Sequence, residues 1–181
     1  MNVILNPLRL AIFFLLTTGL SVWSQGVIIW DGPITNFNHP DGVGTSVQDH
    51  LTPAVWLTRN ASQGLFNVAT EGAYTHFFSP QDTAWAYGSL TDYASLGYAP
   101  WETWNGHRPP SMVGQPAVVH LISDNIYLSL TFTSWGGVGG AYTYDRSTPS
   151  AVPEPSVLAL CGWSGLCALA FIAKRKRRVR A

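Results

Sequence analysis

Between Ile126 and Thr133 apolar and polar side chains alternate without a break. Ile126, Leu128, Leu130 and Phe132 occupy one set of positions, and Tyr127, Ser129, Thr131 and Thr133 the other. A period of two is that of a β-strand with one buried face. Sliding its register by one residue would turn four large apolar side chains into water. Residues 117–122 predict a strand before it, with Ser123-Asp124-Asn125 as the tight turn between them. Gly136-Gly137-Val138-Gly139-Gly140 predicts a flexible connection to a third strand at 141–146. Three consecutive antiparallel strands make a meander.

Upstream, short β-branched and aromatic runs separated by Gly, Pro, Asn and Asp predict strands at 27–30, 54–59, 65–69, 74–79 and 83–87. An aromatic-rich strand or sheet edge is expected at 99–104. Residues 36–46 and 105–115 read as loops, and 90–97 as a short helix or loop. Helical periodicity is nearly absent. The pattern is all-β, and its simplest architecture is a single antiparallel β-sandwich or a jelly roll over residues 25–151.

Both ends of the chain read differently. Arg9 and the terminal amine precede an apolar run from Leu10 to Leu20. Val22-Trp23-Ser24 then offers small residues around a cleavage site, so residues 1–24 read as a secretory signal with cleavage between Ser24 and Gln25. At the other end, residues 152–181 carry three instructions in succession. Val152-Pro153-Glu154-Pro155 breaks regular structure, because proline neither continues a helix nor donates to a sheet. Residues 157–173 hold no charge, and as a helix they would extend ~26 Å, near the lower limit for a bilayer core. Lys174, Arg175, Lys176, Arg177, Arg178 and Arg180 then form a cationic stop that stays cytoplasmic by the positive-inside rule.

A Pro-Glu-Pro motif, an apolar helix and a short Arg-rich end, in that order, resemble the PEP-CTERM sorting signal of Gram-negative bacteria. The resemblance covers about 30 residues at the C-terminus and leaves the body untouched. It implies recognition of Val152, Pro153, Glu154 and Pro155 by an exosortase, an integral-membrane cysteine transpeptidase. It further implies export through the secretion machinery, passage through a membrane-anchored intermediate, removal of the tail, and delivery to the cell surface or an extracellular polysaccharide matrix. The wording of the body, including His120-Leu121-Ile122 and Phe132-Thr133-Ser134-Trp135-Gly136, is similar to that of secreted bacterial β-rich proteins to which no activity attaches.

The formal net charge is zero, but its distribution is uneven. Between residues 25 and 151 nine acids face three bases, Arg59, Arg108 and Arg146, a net of −6. Such a body is a poor partner for nucleic acid. Both cysteines, Cys161 and Cys167, lie in the tail, so the body has no disulfide framework.

Motifs for catalysis are missing from this reading, and no cofactor or metal is expected. None of His39, His50, His76, His107 and His120 is spaced as a metal-binding pair. His120, in mid-strand, reads as structural. Asp49-His50 is a weak acid–base candidate, since neighbours on a strand point to opposite faces. Asp31-Gly32, Asp41-Gly42 and Asp124-Asn125 read as turn chemistry rather than as calcium ligands. Trp85, Trp101 and Trp104 lie in an aromatic cluster that either fills the core or stacks on sugar rings. The expected function is a non-catalytic structural or binding protein of the cell surface. The alternatives are a carbohydrate-binding module and a secreted hydrolase.

Overall fold

The computed structural model describes residues 26–151. The expected signal peptide with its Ser24–Gln25 cleavage site, the Val152–Pro155 motif, the expected membrane helix at 157–173 and the expected basic stop from Lys174 to Arg180 lie outside the described residues. Among the described residues no helix is long and apolar enough to cross a membrane.

The fold is all-β, built on two sheets. The meander is its spine: β7 (Pro116–Leu121), β8 (Ile126–Trp135) and β9 (Tyr142–Ser147) pair antiparallel in succession. Along β8 the alternation holds: Ile126, Leu128, Leu130 and Phe132 are buried, while Tyr127, Ser129 and Thr131 are half-buried and Thr133 is exposed. The β8–β9 register shifts between Phe132 and Ser134, an irregularity that bends a strand. Beyond β7 lies β6 (Thr83–Tyr87), and beyond β9 lies β2 (Ile34–His39). The first strand, β1 (Ile28–Trp30), runs parallel to β8 at Ile126–Leu128, past the point where β9 ends.

The smaller sheet holds β3 (Asp49–His50), β4 (Trp56–Arg59) and β5 (Leu65–Asn67), all antiparallel. Val55, Leu57 and Leu65 from this part of the chain share one core with Trp85, Val119, Leu128, Leu130, Phe132 and Tyr144 of the larger sheet. A buried ion pair joins the sheets. Arg146 donates to Asp49 through Nε at 2.6 Å and Nη2 at 2.8 Å, and the Tyr144 hydroxyl donates to the same carboxylate at 2.7 Å. Asp49 and His50 do point opposite ways, for Asp49 is buried while His50 is exposed and stacks on Trp56.

Three expectations need correction. Residues 36–46 are not all loop, because β2 runs to His39. Its Phe37 and His39 face Tyr142 and Tyr144, and pairing with β9 over its full length overrides the weak strand propensity of asparagine. Residues 74–79 form turns rather than a strand. Residues 99–104 contribute only a bridge from Ala99 to Trp85, after which Trp101–Trp104 winds one helical turn, α1. Pro100 precedes that turn, where its missing N–H costs nothing.

The glycine run folds as a close-packed turn. Gly139 and Gly140 have φ of 103° and 87°, and a side chain at either would collide with the Asp41 carboxylate or the Asn60 carbonyl.

Candidate functional site

Two irregular segments meet beside α1. The first runs from β5 to β6 and is pinned at its base. The buried Glu71 carboxylate accepts the amides of Asn67 and Gln81, at 2.7 and 2.8 Å, and the Ser79 hydroxyl. The Asn67 side chain, also buried, accepts from the Trp56 amide and donates to the carbonyls of Ala54 and Gln81. With both ends held, the segment presents Tyr74, His76 and Phe77. The second segment follows α1. The His107 amide returns to the Glu102 carbonyl at 2.9 Å, and the Asn105 side chain accepts from the Arg108 amide.

They converge on Glu102, whose residue is only 8% exposed. Its carboxylate accepts from the Tyr74 hydroxyl at 2.6 Å, the Phe77 amide at 2.8 Å and His76 Nδ1 at 3.1 Å. His107 Nδ1 lies 3.6 Å from the same carboxylate. Burial alone would push the Glu102 carboxyl up. The hydroxyl, the amide and the two imidazoles outweigh burial and hold it at about 2. Burial and the bond to Glu102 push the Tyr74 hydroxyl well above its ordinary range. Glu102 is therefore a permanent carboxylate at neutral pH, and Tyr74 a permanent donor. Both imidazoles remain exposed at the rim, His76 more than His107.

Below the rim is a pocket of about 240 Å³, walled by Tyr74, Trp101, Trp135 and Pro109, with Glu102 and Arg59 also lining it. Arg59 is buried and has carbonyl partners. It donates to Gln63, Gly136, Gly137 and Ala141, and its guanidinium lies 4.0 Å from the centre of the Trp135 ring. Burial lowers its pKa, an effect that Tyr142 opposes. The glycine run is thus tied to the pocket through Arg59. Gly64 has its own reason to lack a side chain, since a Cβ there would overlap the rings of Tyr74 and Trp101.

Three residues here hold strained backbone. Gln63, Phe77 and His107 have φ of 73°, 67° and 60°, in the left-handed region. They are three of the five non-glycine residues among the described residues with positive φ. Such conformations cost of order 1–2 kcal/mol each and gather where surrounding structure imposes a geometry.

Of the two readings of the aromatic cluster, the core is the one observed, and the alternative of a sugar-stacking platform is not formed. Trp85, Trp101 and Trp104 are 0%, 1% and 9% exposed. Trp85 and Trp104 pack 5.3 Å apart, and Trp101 packs against Trp135 at 5.5 Å. Their faces fill the core, where burial of large rings is worth more than an open surface. Trp101 still reaches the pocket, and its indole N–H is buried without a hydrogen-bond partner.

His39 and His120 are structural. His39 is buried against Tyr142, and its Nε2 meets the Gly44 carbonyl at 2.8 Å. His120 stacks on Tyr127 at 4.1 Å and bonds Asn125, and burial lowers its pKa against the opposing pull of Asn125 and Asp82. Sequence reading did not single out Glu102, His76 or His107 as a group. His76 and Glu102 lie 26 residues apart, and only the pinned segment brings them together. Among the described residues no group of three His, Cys, Asp or Glu is placed to hold a metal ion. A wider groove of about 750 Å³ lies by Tyr87, Gln115, Ser129 and Thr131, and among the described residues that line it only Tyr87 is ionisable. No protein-family model, curated protein or solved structure matches this chain.

Proposed function

We propose that this chain is an exported protein of the cell surface or extracellular matrix, with a body that binds a ligand rather than transforming it. A signal peptide delivers it, and the PEP-CTERM tail sorts it through an exosortase. The observation that carries this reading is how the described chain ends. The Gly32 amide donates to the Thr148 carbonyl at 2.9 Å, and the Thr148 amide and hydroxyl both donate to the Pro33 carbonyl. Ser150 donates to Asp31. The body is thus closed onto its own first strands just ahead of Val152, so a cut within 152–155 would release it whole.

The two sheets with their common core and Asp49–Arg146 pair support a single β-sandwich, the three-stranded sheet covering part of the larger one. A binding body is favoured over a hydrolytic one by Glu102. A carboxyl held at about 2 is a poor proton donor near neutral pH, and its bonds make it a support for the imidazoles.

The test is sorting in a Gram-negative host with and without the processing transpeptidase. Wild-type chain is expected at the surface in shortened form. The Pro153→Ala/Pro155→Ala variant, or wild type without the enzyme, is expected at full length in the membrane fraction. Identical size and distribution in all three cases would refute sorting by the tail.

A further inference from the structure

Resting on the reading of residues 157–173 as a membrane segment, the length of chain between that segment and the body limits how the body can sit. Both ends of the described chain leave from one end of the larger sheet. β1 enters beside the β7–β8 turn, where the Ile28 amide donates to the Asn125 carbonyl at 3.0 Å and Ile28 pairs with Ile126, the first residue of β8. β9 finishes toward the same end. Its last residue, Ser147, pairs with Ile34, and the Ser147 hydroxyl accepts from the Ser129 amide at 2.9 Å. From there Thr148 and Ser150 run along Asp31, Gly32 and Pro33 to the exit at Ala151. The β8–β9 connection, with Val138 94% exposed, lies at the opposite end of the same strands.

The tether is short. Five residues, 152–156, separate Ala151 from the apolar run, and fully extended they reach at most about 18 Å. Headgroups take up about 6 Å of that reach on each face of a bilayer. A body of residues 26–151 has a radius of gyration of about 14 Å, so it is about 35 Å across. A tether shorter than the body does not let it turn over. The end carrying Ala151 is kept on the lipid side, and the Val138 end is kept away from it.

Where that end is exposed, it is apolar. Val27, Ile28, Ile34 and Ile122 are 49%, 43%, 63% and 50% exposed. They are half of the eight exposed large apolar side chains among the described residues, and each lies on a strand or turn beside a chain exit. One such side chain is ordinary on a protein surface, but four gathered at one end mark a contact. Charge selects the kind of contact. Residues 26–34, 120–125 and 147–151 contain Asp31 and Asp124 and no Lys or Arg. Recognition of anionic headgroups needs a basic cluster, which these segments lack. Apolar burial at the boundary of headgroup and acyl chain is what they offer.

We propose that the end of the larger sheet carrying Val27, Ile28, Ile34 and Ile122 docks on the bilayer surface while the tail is anchored, by apolar contact and without selection for anionic lipid. Docking holds residues 152–155 beside the headgroups.

The test uses the chain from Gln25 to Ala181, recovered from the membrane of a host without the processing transpeptidase and reconstituted in phosphatidylcholine vesicles. Cys161→Ser and Cys167→Ser give a background without thiols. Gly26→Cys, where a side chain meets nothing within 4 Å, and Val138→Cys each carry one fluorophore. Quenching by lipids spin-labelled at the headgroup is read at both positions. Strong quenching at 26 and little at 138 is expected, unchanged by high salt and no stronger with phosphatidylglycerol added. Ile34→Ser with Ile122→Ser is expected to lower the docked-to-free ratio about tenfold, as loss of two half-exposed apolar contacts does. Near-UV circular dichroism checks that this variant is folded, and Ile34→Asp, at the most exposed of the four, gives the same reading if it is not. Equal quenching at 26 and 138 would overturn docking. Quenching at 26 that survives these variants would assign it to the tether alone and overturn docking as well. Strengthening by phosphatidylglycerol and loss in salt would overturn its apolar character. A signal that follows protein density in the vesicles would put a second copy on this surface in place of lipid. Failure of the chain to float with the vesicles would refute the membrane reading of the tail, and docking with it, so flotation tells the two failures apart.

Discussion

Replacing Glu102 with glutamine keeps the shape of the side chain and removes its charge. The carboxylate accepts three hydrogen bonds of 2.6, 2.8 and 3.1 Å, from Tyr74, Phe77 and His76. A hydrogen bond to a charged group contributes about 1.5–3 kcal/mol, against about 0.5–1.5 for a neutral pair. The glutamine oxygen can still accept from Tyr74 and Phe77, and its amide group forces the imidazoles into the other tautomer. Losing about 1 kcal/mol at each of the two buried bonds, and little at the exposed His76, gives a destabilisation of about 2 kcal/mol at pH 7. The difference must depend on pH. Glu102 is depressed from the usual carboxyl value of ~4.3 to about 2. Its contribution is therefore present in full above ~4.3 and disappears as pH falls through about 2. Urea midpoints of the full chain and of Glu102→Gln, taken from pH 7 to pH 2, measure the gap between them. A gap that closes across that window is expected. A gap of the same size at pH 2 and pH 7, or none at either, would refute the assignment of Glu102 as a carboxylate held by its neighbours.

Other consequences are simpler to state. Asp49→Ala leaves Arg146 and the Tyr144 hydroxyl buried without their shared acceptor, and should cost about 3–5 kcal/mol in urea unfolding. Asp49→Asn should cost less. Gly64→Ala drives a methyl group into the rings of Tyr74 and Trp101, with an expected loss of about 1–3 kcal/mol from overpacking. By displacing the Tyr74 hydroxyl it should also raise the Glu102 carboxyl, which carbon-detected NMR of the side chain reads directly. Burial disfavours the charged form of His120, so its ring should titrate below the ordinary imidazole value of about 6.5, and the stability it contributes should fall as pH drops below 6.5 toward that midpoint. An imidazole midpoint at or above 6.5 by NMR would contradict its packing on Tyr127.

The meander was legible because its central strand β8 buries one face, and alternation records that directly, while β7, with Ala117, Val118 and Val119 all buried, reads as a continuous apolar run. β2 was harder. Ile34-Thr35-Asn36-Phe37-Asn38-His39 does alternate, with Phe37 and His39 inward, but the pattern is visible only once histidine is counted as an inward aromatic. Asparagine at two outward positions reads as turn chemistry, and a sheet edge tolerates it. The single turn of α1 is too short for a period of 3.6 to declare itself. The site was less legible still. Glu102 and His107 are near each other in sequence, but His76 and Tyr74 arrive through a segment whose shape depends on Glu71 and Asn67 buried at its base. Left-handed backbone at Phe77 and His107 leaves no mark in residue type, because neither position is a glycine. Trp101 shows the limit from the other side: its size declared burial, while its place in the pocket wall depends on neighbours far along the chain.

The most direct test of export and sorting is the intact mass of the protein recovered from the cell surface. The expected product starts at Gln25, ends within Val152–Pro155, and carries none of the cations from Lys174 to Arg180. A surface-located or cytosolic product with the mass of all 181 residues would contradict it.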